Sequence, residues 1–108
     1  NTIYGIEMAL NITTESPEYA LFESHGDWAC NKIFAAAVGG RCRITDRLSE
    51  WQLEINLEPA CTVWHSPLYT VSRSESGYEK VYQGSAFFFW WELPPGEELR
   101  NRVVAELI

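Results

Sequence analysis

The 108-residue chain is short of several things, and each shortage removes a class of function. No apolar run approaches the ~18 to 20 residues that cross a bilayer as a helix, and the N-terminus lacks the basic-then-apolar order of a signal peptide, so no membrane partner is expected. The phosphate-cradling patterns GxGxxG and GxxxxGKS are missing, and so is the GxSxG elbow of serine hydrolases. Positive charge is scarce: eight Lys and Arg face fifteen Asp and Glu, and a net charge of -7 repels a phosphate backbone. Nucleic acid is therefore excluded as an expected partner. Cys30, Cys42 and Cys61 form an odd set with neither CxxC spacing nor a nearby His ladder. No metal site, no cofactor and no disulfide framework follow from them, and reduced buried thiols are the expected state. That favours the cytoplasm slightly over secretion, which the sequon Asn11-Ile12-Thr13 and a first residue other than Met keep open.

What the chain has is aromatic bulk. Five Trp, five Tyr and five Phe sit in a length that suits one domain over residues 1–108. Five of those rings are consecutive, Phe87 to Trp91, just before Pro94-Pro95. On a strand, Phe87, Phe89 and Trp91 point one way and Phe88 and Trp90 the other, so large rings cover both faces. One set belongs to a core. The other, if no second layer covers it, forms a patch with Tyr82 and a neighbouring strand's Trp64, suited to a partner or a flat ligand.

Periodicity places the strands. Tyr4, Ile6, Met8, Leu10 and Ile12 alternate with polar or small residues over 2–12, and Trp51, Leu53, Ile55 and Leu57 do so strictly. Cys42 and Ile44 alternate within a short strand over 41–45. Residues 61–72 read as a strand that Ser66-Pro67 restricts to an edge or a bulge, and 78–92 as the strand of the aromatic run. Helices are expected at 17–24, where Ser16 caps and Pro17 opens, at 28–38, capped by Asp27, and at 97–108, where Glu97 and Glu98 precede Arg100 and Arg102. The fold class that results is α+β: an antiparallel sheet of about four or five strands with helices packed mainly on one face. The alternative, with a strand in place of the last helix, is an all-β sandwich.

Three functions fit these residues. The first is a non-catalytic protein-binding domain of the inhibitor or immunity type. Its acidic stripe on the 51–57 strand, with Glu50 and Glu54, meets a basic partner, or the chain self-associates. The second is a small-molecule or carbohydrate binder using Phe88, Trp90, Tyr82 and Trp64. The third is a small enzyme built on His25, Asp27 and Cys30 in the turn between two helices. A fourth pairing, Cys61 with His65, is weakened by the ~13 Å that four strand residues place between their α-carbons. No catalytic residue is assigned.

Overall fold

A computed structural model describes residues 2–10, 17–48, 50–98 and 100–107. The Asn11 to Thr13 sequon, the Ser16 cap and Leu99 lie outside the described residues. Nine strands are present among those described: β1 (Thr2–Leu10), β2 (Ala20–Glu23), β3 (Asp27–Ala29), β4 (Phe34–Val38), β5 (Arg41–Asp46), β6 (Trp51–Glu58), β7 (Cys61–Ser74), β8 (Gly77–Leu93) and β9 (Arg102–Leu107). They make two antiparallel sheets, one ordered β1-β8-β7-β4 and the other β3-β2-β5-β6-β9. This is the all-β alternative, and the α+β expectation is corrected.

The first two of the three expected helices fail because period-two burial outweighs local capping. Pro17–Tyr19 is a single 3-10 turn, after which Ala20 and Phe22 enter the core at alternate positions and pair with Asp46 and Ile44 of β5. Residues 28–38 divide between β3, which pairs with β2, and β4, which pairs with β7 from Phe34↔His65 to Val38↔Cys61. The apolar positions there fit a helical face on paper, yet Ile33 stands 79% exposed while Ala36 and Val38 are buried. At the C-terminus Arg102–Leu107 closes the open edge of β6, from Leu57↔Val103 to Leu53↔Leu107. An uncovered β6 edge would leave a row of unpaired backbone groups, which a strand satisfies and a helix does not.

The core lies between the sheets. Phe87, Phe89 and Trp91 of β8 enter it at 0%, 0% and 3% exposure, with Val63 and His65 of β7 beside them. Phe22, Ile44, Ile55 and Leu57 face them from the five-stranded sheet, and the Phe22 and Phe87 rings meet at 5.8 Å across the gap. Trp91 Nε1 donates to the carbonyl of Pro59 at 2.9 Å, which satisfies the one polar atom its burial would otherwise strand. Pro67 lies past the last β4 pair, so its missing N–H falls on an open edge, and the β7–β8 register shifts next to it at Leu68/Tyr69. The shift carries Tyr82 round to pack against the core cluster.

His65 is the polar residue at the centre of this packing. Its ring stacks on Phe34 at 4.5 Å and lies 4.7 Å from Phe87, and Nδ1 donates to the carbonyl of Lys32 at 2.8 Å. Nε2 is buried with no partner among the described residues, as suits a neutral ring, and burial pushes its pKa down from 6.5 despite the Lys32 bond. Unfolding frees the ring to bind a proton, so below its unfolded pKa the unfolded chain holds more protons than the folded one. Stability is fully present above 6.5 and is lost as pH falls from there towards the depressed folded value. Denaturant midpoints should therefore drop between about pH 8 and about pH 5, and His65→Gln should flatten that part of the profile. An unchanged slope in the variant contradicts the assignment.

Candidate functional site

The outer face of the four-stranded sheet has no second layer among the described residues. Register fixes what stands on it. One row across the strands is Gly5, Trp90, Thr62 and Ala37, the next Glu7, Phe88, Trp64 and Ala35, and the third holds Ala9, Ala86 and Ser66. Three large rings are thus grouped at the centre and ringed by glycine, alanine, serine and threonine. Trp64 is 51% exposed, while Phe88 and Trp90 are half-buried beside it. The Trp64 ring lies 6.0 Å from Phe88 at 47° and 5.5 Å from Trp90 at 62°, within the range of favourable aromatic pairs.

Small neighbours are what let these rings lie down. A Cβ built on Gly5 would fall inside the Phe88 ring, so Phe88 covers β1 only because its partner strand has no side chain there. Beside the cluster runs a groove of about 560 Å³, lined chiefly by Glu7, Ile33, Ala35, Trp64, Ala86 and Phe88. Its lining is apolar except for Glu7, His65 and Ser66. On the other side of the rings a second hollow of about 340 Å³ is lined by His25, Ala37, Gly39, Thr62, Trp90 and Glu92 among others.

Of the site residues expected from sequence, the structure brings Trp64, Phe88 and Trp90 together. Tyr82 is separated from them: it lies on the inner side, bonded to Ser85 Oγ at 2.6 Å and paired with Tyr69. Glu54 lies on the outer face of the other sheet, where Arg43 approaches it at 3.4 Å and Arg41 at 4.0 Å, so its charge is locally matched. Glu50 sits at the β5–β6 turn with a φ of 58°. His25 occupies the β2–β3 turn with a φ of 54°, and Asp27 begins β3. Cys30 is fully buried, and burial pushes its thiol up to about 12, the reverse of what a nucleophile needs. Cys42 and Cys61 are also buried, pushed up to about 12 and about 11. The hollow at His25 was missed in the sequence, where Gly39-Gly40 reads only as a break.

Two carboxylates border the outer face, Glu7 and Glu92. Glu92 is opposite Ile3, four residues from Glu7, which sets their α-carbons about 14 Å apart with side chains standing parallel on one sheet face. Hydrolytic carboxylate pairs instead converge across a bond at ~5 to 9.5 Å. Glu7 and Glu92 stand too far apart to form such a pair. Gly5→Ala should displace the Phe88 ring, change the near-ultraviolet circular dichroism of the Trp cluster and cost about 1–3 kcal/mol of stability. An unaltered aromatic spectrum contradicts the packing described.

Comparison with known proteins gives the setting. The family model described as Alpha-amylase/4-alpha-glucanotransferase, C-terminal, matches residues 1–104. Alpha-amylase 1 of Dictyoglomus thermophilum is 41% identical over 54 residues, covering 48% of this chain and 8% of that protein. An alpha-amylase of Pyrococcus abyssi is 26% identical over 86 residues, covering 77% of this chain and 13% of that protein. The chain thus spans a small fraction of the length of these relatives. No solved structure matches it. These matches overturn the expectation of an inhibitor or immunity-type domain.

Proposed function

The chain belongs to the alpha-amylase/4-alpha-glucanotransferase C-terminal family, and from that premise we propose that it binds α-glucan on the outer face of its four-stranded sheet. The observation that carries the reading is the exposed Trp64 ring between Phe88 and Trp90, above a groove floored by Ala35 and Ala86. A glucose ring has an apolar C–H face and a hydroxyl rim. Aromatic rings supply large, rigid apolar area for the former, and a shallow groove leaves the rim in water or against marginal polar groups.

Solvent cost supports the same reading. An aromatic patch that stays exposed implies an occupant for part of the molecule's life. An α-glucan meets that need without asking the sheet to rearrange, since Phe88 and Trp90 are already held by cross-strand neighbours. In this account Trp64 stacks on the sugar, Phe88 and Trp90 hold Trp64 upright, and Glu7 accepts hydrogen bonds from hydroxyls at the β1 margin. The face binds the polymer and performs no bond cleavage itself.

Maltoheptaose binding followed by Trp fluorescence tests this. Trp64→Ala should weaken it at least tenfold, or about 1.4 kcal/mol, while the unfolding midpoint stays nearly constant because the ring is exposed. Full retention of binding in Trp64→Ala contradicts the proposal.

A further inference from the structure

The groove and the hollow flank the same three rings but differ in chemistry. The groove is mainly apolar, whereas the hollow is lined by His25, Thr62 and Glu92 together with Trp90. Resting on the glucan reading, we infer that the hollow is a second sugar subsite, one that reads hydroxyls where the groove reads the ring face. A single linear glucan would lie along β7 across Trp64 and occupy both.

His25 is held where it is by two features of the backbone. Its φ of 54° is a left-handed conformation that turns the β2–β3 loop towards the end of β4, and Gly39 leaves the room into which the ring fits. A Cβ at position 39 would stand 2.6 Å from His25 Nε2. His25 is exposed and its imidazole is thereby kept at the rim of the hollow, where a ring nitrogen can donate or accept. This mirrors the other end of the face, where Gly5 seats Phe88. Each cavity is bounded by a ring that rests on a glycine, Gly5 of β1 or Gly39 of the β4–β5 turn.

Two further observations favour a hydroxylated ligand here. Thr62 projects from the outer face in register with Trp90 and Ala37, so its hydroxyl borders the hollow from the floor. Trp90 Nε1 is shielded from water and has no hydrogen-bond partner among the described residues. A buried indole N–H normally finds an acceptor, and a sugar oxygen supplies one only when the Trp90 ring turns on binding.

Spacing sets the expected length dependence. Thr62 borders the hollow and Ser66 the groove, and four strand residues separate their α-carbons by about 13 Å. A disaccharide fills one subsite only, whereas a longer oligosaccharide bridges both and gains from the second contact without a new association cost.

Calorimetric titration with maltose and maltopentaose reads this directly. The wild-type chain should bind maltopentaose at least tenfold more tightly than maltose. His25→Gly, which keeps the left-handed turn, combined with Thr62→Val, which keeps the strand shape, should weaken maltopentaose binding and reduce that ratio to about two. Equal affinity for the two sugars in the wild type, or an unreduced ratio in the double variant, overturns the second subsite. If Trp64→Ala still abolishes binding in either case, the stacking reading stands alone. Absence of binding by the wild type to both sugars overturns both.

Discussion

The pleat of β8 is the constraint on which the rest depends. Side chains on a strand alternate, so a run of five aromatic residues cannot be buried in one layer. Phe87, Phe89 and Trp91 fill the space between the sheets, and that fixes Phe88 and Trp90 on the opposite side. A second layer over the outer face would bury them too; none stands there among the described residues. The same residues that close the core therefore create the surface, and neither can be removed without altering the other. Register then brings Trp64 opposite Phe88 and small residues opposite the rest.

Inside, aromatic packing extends across the gap from Phe87 to Phe22 and along β4 to Phe34, which stacks on Trp28 at 5.9 Å. His65 belongs to this cluster by shape while remaining polar, and its bond to Lys32 ties the β3–β4 connection to the centre of the opposite sheet. Outside, glycine does what a larger residue cannot. Gly5 and Gly39 each leave a space that a ring from another strand or turn occupies, so the two cavities are shaped by missing Cβ atoms as much as by the rings.

Much of the sheet was legible in the sequence because period two is a strong signal when large apolar residues alternate with polar ones. Trp51 to Leu57 and the division of Phe87 to Trp91 both read correctly for that reason. Residues 20–38 did not, because their alanines favour a helix over a strand, and Pro17, Asp27 and the surrounding polar residues imitate helix caps. Trp64 and Phe88 could be paired in principle from one strand to the next, but Tyr82 could not be excluded without knowing that the register shifts at Leu68/Tyr69. The hollow at His25 joins a turn of one sheet to the edge of the other, and no local pattern records such a meeting. The family signal was equally diffuse, spread over 1–104 without a short motif.

The five tryptophans provide the most direct test of the central claim, since they divide by location: Trp64 and Trp90 on the outer face, Trp91 in the core, Trp28 and Trp51 partly buried against it. Each indole N–H gives its own signal in a nitrogen-edited spectrum. Titration with maltoheptaose should shift the Trp64 and Trp90 signals together with the backbone amides of Ala35, Thr62, Ser66 and Ala86, and leave Trp51 and Trp91 in place. Shifts confined to Trp28 and Trp51, or none at saturating sugar, would contradict the account.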